Sequence, residues 1–233
     1  MLREVGVVVV AAGQGVRFGG EGLKQFRELR GSPLLLHSLR PFLSHPAVVE
    51  VVVVLPPPEA AAPPAWLAPL LGDRLRAVPG GPARMDSVEA GFRALTEQAG
   101  VVLIHDGARP FPDPAVIDAI IAEVKRGLGA IAAVPLHDTL KEAADGASGR
   151  PRISRTVPRE RLWRAHTPQG FPRAVLEAAF RLARAEGFVG TDEASLVERT
   201  GAPVVLIHDA ETNLKVTTAD DFRIAEALAT DRR

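Results

Sequence analysis

Two cations, Arg17 and Lys24, flank a glycine-rich turn, Ala11-Ala12-Gly13-Gln14-Gly15-Val16-Arg17, that follows the apolar run Val5 to Val10. Gly13 and Gly15 have no Cβ, so the backbone can pass close to a ligand and turn successive N–H groups toward one point. The result is a concave anion site to which Arg17 and Lys24 add mobile charge. Such a loop suits a nucleoside triphosphate. The same residues also fit a plain glycine turn with two solvated cations, because short glycine motifs recur without function. Two other phosphate loops are excluded. A dinucleotide fingerprint needs glycine where Phe18 stands and an acidic residue ending the second strand, yet Val51 to Leu55 runs into Pro56-Pro57-Pro58. A Walker loop needs Gly-Lys followed by Ser or Thr, a tripeptide the chain lacks.

A second group is His105-Asp106-Gly107-Ala108-Arg109-Pro110, after the apolar run Val101 to Ile104. Asp106 can ligate Mg²⁺, which takes one or two carboxylates beside nucleotide phosphates, or hold a ribose. Arg109 can grip a phosphate with its planar fork. Taken alone, the motif fits a turn closed by Asp106 with Arg109 paired to it somewhat better. Gly80-Gly81 ahead of Arg84-Met85-Asp86-Ser87 can present backbone groups and Ser87 to a base edge, or form an ordinary turn and cap. The six histidines are scattered, so a histidine metal site is not expected and neither His105 nor His208 is assigned as a general base. Trp66 and Trp163 are expected to pack. Arg159, Thr167-Pro168-Gln169, Thr191-Asp192-Glu193 and Thr212 to Thr217 are weak signals singly, and Lys215 fits a solvated strand charge.

The elements that must hold these residues follow from periodicity. Strands are expected at Val5 to Val10, Val49 to Leu55, Leu75 to Val78, Val101 to His105, Ala130 to Val134 and Val204 to Ile207. Helical patterns lie between them, as at Pro114 to Arg126, which puts Val116, Ile117, Ile120, Ile121 and Val124 on one face. Ser32 is expected to cap a helix from Pro33, and Thr218 to open a capping box with Asp221. Alternating strands and helices imply an α/β, doubly wound, mainly parallel sheet. Ligands of such sheets sit at strand carboxyl ends, which places the loops after Val10, His105 and Val134 around one site. Pro56 to Pro64 reads as a surface connection. His137 to Pro158 holds two polar, partly alternating stretches around Asp145 to Gly149 and reads as a β-hairpin. An isolated hairpin is marginal in water, so this arm is expected to pack on another surface, most simply a second subunit; a long flexible loop is the alternative.

Composition bounds the rest. With 233 residues the chain fits a single α/β domain, 1–233, with residues 137–158 as its arm. Lys plus Arg equals Asp plus Glu at 28 each, which argues against nucleic acid or an anionic membrane as partner. No cysteine is present, which excludes disulfides, thiolate metal sites and a cysteine nucleophile. No membrane-spanning run or signal-peptide pattern occurs, so a cytoplasmic protein is expected. Only Lys24, Lys125, Lys141 and Lys215 are lysines, asparagine occurs once and proline 20 times, a bias shared by thermophile-like chains and GC-rich genomes. In so arginine-rich a chain, lysine at 24 and 215 suggests that a compact ammonium matters there.

Taken together, Ala11 to Arg17, Lys24-Gln25, Gly80-Gly81, Asp86-Ser87-Val88, His105 to Pro110, Asp138-Thr139, Thr167-Pro168-Gln169, Thr191 to Ala194 and Asn213 to Thr217 resemble the 2-C-methyl-D-erythritol 4-phosphate cytidylyltransferases of the non-mevalonate isoprenoid pathway. The resemblance covers nearly the whole chain. It implies a nucleotidyltransferase fold of Rossmann-like type that moves CMP from CTP to methylerythritol phosphate with Mg²⁺, and a homodimer whose hairpin reaches the other subunit. By resemblance, Arg17 and Lys24 stabilise the α-phosphate in the transition state, and Arg159 and Lys215 position the attacking phosphate. Ala11, Ala12, Gly13, Gly15, Gly81, Ser87, Asp106 and Gly107 look like the CTP site, with Asp106 also the candidate metal ligand. Arg109, Thr139 and Thr191 look like contacts of the sugar phosphate. Pro82 departs from the family, where an acidic or polar residue is common, and Gly107 stands where many relatives have alanine. A ribitol 5-phosphate cytidylyltransferase and a silent CTP-binding regulator are the competing readings, separable by pyrophosphate release with each polyol phosphate.

Overall fold

The computed structural model describes residues 4–13, 23–145 and 149–230. The first half runs β1 (Val5–Val10), β2 (Glu28–Leu29), β3 (Ser32–Pro33), α1 (Leu34–Ser44), β4 (Val48–Leu55), α2 (Pro57–Ala61), β5 (Leu75–Pro79), α3 (Arg84–Ala94) and β6 (Val101–Asp106). The second half runs α4 (Pro114–Lys125), β7 (Gly129–Pro135), β8 (Leu140–Ala144), β9 (Arg152–Val157), β10 (Trp163–Pro172), α5 (Arg173–Glu186), α6 (Glu193–Glu198), β11 (Val204–His208) and α7 (Ala219–Leu228).

Seven strands form one sheet in the order β11-β7-β10-β6-β1-β4-β5. All neighbours are parallel except β10, which runs antiparallel to both β6 and β7. Strands β1, β4, β6 and β7 read as apolar runs because both faces are covered, and successive side chains alternate between the two layers. Val5, Val7 and Val9 of β1 join Val51, Val53, Leu103 and the inner faces of α1 and α4. Val8, Val52, Val54, Val102 and Ile104 point the other way, onto α3 and α5 through Val88, Phe92, Leu176 and Phe180. Each such fully buried Val, Leu or Phe contributes about 1.5–3 kcal/mol relative to exposure. Gly91 lets α3 settle against β1, since a Cβ there would overlap the Val8 side chain. A third, smaller cluster joins Leu29, Leu34, Phe111 and Val216 to Ala225 of α7.

Helix α4 begins at Pro114 behind an Asp113 cap and buries all five apolar residues expected of it, ending at Lys125. Thr218 and Asp221 form the expected capping box of α7. Two expectations are corrected. Ser32 does not cap α1: it pairs within the β2–β3 ribbon, and Pro33 is the flanking residue, without a side-chain cap. The Pro56 to Pro64 connection lies at the surface and contains the short helix α2, none of whose residues is buried, because proline fixes the first turn of a helix without losing a needed N–H. Trp163 does not pack into the core; it is 39% exposed, with its ring edge against His208.

One strand, β10, is not among the expected elements, and it takes a central place in the sheet. Residues 163 to 172 carry two prolines and a glycine, a composition that argues against an interior strand. Here Pro168 falls where the register with β7 is interrupted between Ala165 and Gln169, and Pro172 is the last residue, so neither breaks a regular ladder. Strands β8 and β9 pair antiparallel, Leu140 opposite Val157 and Ala144 opposite Arg152, as the arm expected at 137 to 158. Their side chains are exposed almost throughout.

Candidate active site

The site lies at the carboxyl ends of β1, β5 and β6. A cavity of about 400 Å³ there is lined by Ala11, Ala12 and Gly13 after β1, by Gly81, Arg84 and Ser87 at the start of α3, by Asp106 and Gly107 ending β6, and by Lys24, Gln25, Lys215 and Thr217. The loop after Val134, expected in the same group, lies elsewhere. The inserted β10 separates β7 from β6, which moves the end of β7 about 10 Å sideways at the usual strand spacing.

Lys24 and Gln25 lie on a single helical turn, Lys24–Phe26. Gln25 is buried, and its amide donates to Ala11 O at 2.7 Å and Gly13 O at 3.3 Å, fixing the backbone that follows β1. Lys24 Nζ donates to Val216 O at 2.8 Å, so its ammonium stands beside the Lys215 segment. On the far wall, Ser87 Oγ accepts the Gly81 N–H at 3.1 Å and shapes the turn before α3. Gly80 is required there, since a Cβ would collide with Ala12 and Ser87.

Asp106 is the one carboxylate lining the cavity among the described residues, and it is set among three cations. Lys215 Nζ lies 2.8 Å from Oδ2, Arg84 Nη2 lies 3.3 Å from Oδ1, and Arg109 Nε is 3.7 Å from Oδ2. Burial alone would push this carboxyl up; Arg84, Lys215 and Arg109 overcome it and hold the carboxyl well below the ordinary range. Arg84 bridges onward to Glu193 Oε1 at 2.7 Å, and despite its own burial the two carboxylates keep it firmly protonated.

Behind Asp106 the polar groups are committed to one another. The Asp106 N–H donates to Thr167 Oγ1 at 3.0 Å, Thr167 Oγ1 is 3.0 Å from His105 Nδ1, and His105 Nε2 is 2.9 Å from Arg109 O. A carbonyl only accepts, so Nε2 carries the hydrogen and Nδ1 accepts from the threonine hydroxyl. Burial pulls the imidazole down to about 4, and His105 is a neutral structural residue with both nitrogens engaged. Asn213 donates to Thr167 O at 2.9 Å and to Asp209 Oδ2 at 2.7 Å, and Asp209 also meets His166 Nδ1 at 2.9 Å.

Of the residues singled out from sequence, Ala11, Ala12, Gly13, Lys24, Gly81, Ser87, Asp106, Gly107 and Lys215 converge on this cavity. Arg17 and Gly15 lie outside the described residues. Arg109 is buried behind the cavity wall, donating to Asn213 O at 2.6 Å. Arg159 and Thr139 are exposed at the base of the arm, where Arg159 donates to His137 O, and Thr191 is exposed ahead of α6. Sequence reasoning assigned nothing to Arg84 or Glu193. The available signal was an arginine at the start of a helix beside a glycine turn, which is common on surfaces.

The model of the 2-C-methyl-D-erythritol 4-phosphate cytidylyltransferase family matches residues 5–231. An enzyme of that name from Bacillus licheniformis is 40% identical over 223 residues, 95% of this chain and 94% of that one. A bifunctional enzyme IspD/IspF from Rhodospirillum rubrum is 44% identical over 228 residues, and the chain spans 57% of its length. The crystal structure of the cytidylyltransferase from Thermus thermophilus superposes with a TM-score of 0.80 at 34% identity, covering 97% of this chain and 99% of that one. The parallel sheet, the cationic cavity at its carboxyl ends and these likenesses agree: the chain belongs to the 2-C-methyl-D-erythritol 4-phosphate cytidylyltransferase family, enzymes that transfer the cytidylyl group of CTP to that phosphate in isoprenoid biosynthesis.

Proposed function

We propose that the cavity binds CTP and that catalysis is electrostatic, with Lys24 and Arg17 acting on the α-phosphate and Lys215 and Arg159 positioning the attacking phosphate. The observation that carries this reading is the placement of two ammonium groups, Lys24 and Lys215, in one cavity with the loops after β1, β5 and β6. An oxygen of the methylerythritol phosphate attacks the α-phosphorus, a new P–O bond forms, the bond to the bridging oxygen breaks, and pyrophosphate leaves. The nucleophile is a phosphate monoester with a second pKa of about 6, already largely dianionic at neutral pH, so no general base is needed. That agrees with His105 being neutral and fully engaged. The barrier comes from anion repulsion and growing charge on the transferring group, which cations fixed in advance offset.

Mg²⁺ fits this site as an ion that arrives on the triphosphate. The cavity supplies a single carboxylate, Asp106, already flanked by Lys215 and Arg84, and no group of three His, Asp or Glu residues suited to a metal occurs among the described residues. Magnesium is commonly held by one carboxylate with phosphate oxygens and water, and when bound it neutralises phosphate charge. Thr139 and Thr191 are the proposed contacts of the polyol phosphate, and Arg109, proposed with them from sequence, lies buried behind the cavity wall and acts there through Asp106. Thr139 and Arg159 stand exposed beside the arm, which supports a homodimer whose arm delivers them to the neighbouring site. No helix among the described residues is long and apolar enough to cross a membrane, and we infer a cytoplasmic enzyme.

Subunit mixing tests the shared site. Lys24→Ala and Arg159→Ala chains are each expected to be nearly inactive alone and to regain up to about a quarter of full activity per site when mixed, because every heterodimer, about half of the dimers, holds one intact composite site of its two. No recovery after verified exchange of subunits would place both residues in one protomer's site. Pyrophosphate release with methylerythritol phosphate, with ribitol 5-phosphate and with neither fixes the acceptor.

A further inference from the structure

Arg84 is the cavity cation with no role so far. Its guanidinium spans two elements, donating through Nη1 to Glu193 Oε1 at 2.7 Å and through Nη2 to Asp106 Oδ1 at 3.3 Å. Arg84 opens α3 on the nucleotide side of the cavity, whereas Glu193 opens α6, two residues after Thr191. Glu193 is 1% exposed, and its Oε2 is buried with no hydrogen-bond partner. Burying a carboxylate with one oxygen unsatisfied is unfavourable, and an apolar residue of similar volume would fill the space more stably. The start of α6 does not depend on it. Asp192 caps that helix by accepting the Ser195 N–H at 3.0 Å, and Gln169 of β10 clamps the same turn, donating to Asp192 Oδ2 at 2.8 Å and accepting the Ala194 N–H at 3.1 Å. The one polar contact of the Glu193 side chain among the described residues is therefore directed at Arg84 and, through it, at Asp106.

We propose that Glu193 is a positioning residue for the reaction, holding Arg84 as a rigid bridge between the nucleotide cavity and the Thr191 segment so that the polyol phosphate is presented to the α-phosphate. This rests on Thr191 being a contact of the polyol phosphate. The bridge also divides the labour around Asp106. Lys215 reaches that carboxylate by a flexible four-carbon stem and can exchange it for a substrate phosphate. Arg84, fixed at both ends, stays and keeps Asp106 neutralised. Loss of the Glu193 charge releases one end of the guanidinium, which loosens the α6 side of the site and leaves the loops after β1 and β5 as they were.

The test is a steady-state comparison of Glu193→Gln, Arg84→Lys and wild type. Glu193→Gln keeps the volume and loses the charge; Arg84→Lys, at a residue about a third exposed, keeps the charge and loses the two-ended bridge. Both are expected to raise KM for methylerythritol phosphate about tenfold or more, the size of one lost charge-assisted hydrogen bond, with KM for CTP within about twofold. A purely structural role would move both constants together. Equal changes in both KM values, or no change in either, would overturn the proposal, and Arg84→Lys decides it if Glu193→Gln does not fold. Thr191→Ala is read in parallel. A normal KM there removes Thr191 from the polyol-phosphate contacts, whereas a normal KM in Glu193→Gln removes the bridge, so the two failures are told apart.

Discussion

Lys215 Nζ lies 2.8 Å from Asp106 Oδ2, a lysine from the segment before α7 paired with the residue that ends a central strand. The pair fixes where one of the cavity's ammonium groups waits. Its geometry depends on a compact head group, since Arg84 already occupies the other carboxylate oxygen. Lys215→Arg keeps the charge but brings a broad planar fork into that space. Turnover is expected to fall about tenfold in Lys215→Arg and about 100-fold in Lys215→Ala, read as the initial rate of pyrophosphate release. Full activity in Lys215→Arg would mean that charge alone matters there.

Lys24 is expected to act more on the transition state than on bound CTP, because charge on the transferring group grows during the reaction. For Lys24→Ala, turnover should drop about 100-fold or more, while CTP affinity measured by calorimetry weakens only a few-fold. Equal losses in both would make Lys24 a simple binding group.

His105 gives the fold an acid-sensitive step. Burial holds its folded-state value at about 4 against an ordinary 6.5, so between these the unfolded chain binds a proton that the folded chain does not. The neutral ring's contribution is complete above pH 6.5 and is lost as pH falls toward 4, by up to roughly 3 kcal/mol. Denaturant midpoints measured from pH 7 to pH 4 should decline, and His105→Gln should flatten that decline. An equally steep decline in the variant would assign it to other groups.

Asn213, the single asparagine of the chain, ties Thr167 O to Asp209 through one amide. Asn213→Ala leaves those acceptors short of a donor in a buried place, and a loss of about 1–3 kcal/mol is expected. Thermal unfolding should shift down by roughly 2–12 °C for a chain of this size. An unchanged midpoint would show that water replaces the amide.

Removal of residues 140–155 takes away β8 and most of β9 but leaves the seven-stranded sheet, because β8 and β9 pair only with each other. The shortened chain is expected to fold, to dissociate at micromolar concentration in sedimentation, and to lose activity with its dimer. A fully active monomer would separate the arm from the reaction.

The apolar runs and their punctuation disclosed six of the seven sheet strands, because strands covered on both faces leave little ambiguity in Val and Ile. The seventh, β10, stayed hidden because its residues suit the sheet only through their neighbours. Gly170 admits Ile120 and Leu103, and Pro168 falls in the interruption of the ladder. At the site, backbone positions such as Gly13 and Gly81 were legible only through the combination of motifs around them, since each glycine turn alone also fits an ordinary turn. Arg84 and Glu193 were not, since their meaning lies in a bond across 109 positions of sequence. Ser32 misled for a related reason: a serine before a proline and a leucine run looks like a cap, and only tertiary pairing of Glu28 with Pro33 shows that the chain is still extended there.

Strands β7 and β10 stand side by side, Trp163 opposite Pro135, so the chain departs to the arm and returns from it at the same point of the sheet. The excursion is closed at its root. Residues can be added to or removed from its tip in pairs without altering the register of any sheet strand, which makes the reach of the arm an adjustable length, tunable to a neighbouring surface independently of the chemistry. The same closure makes the root a mechanical junction, since a pull on the arm loads β10, the strand that carries Thr167 and Gln169.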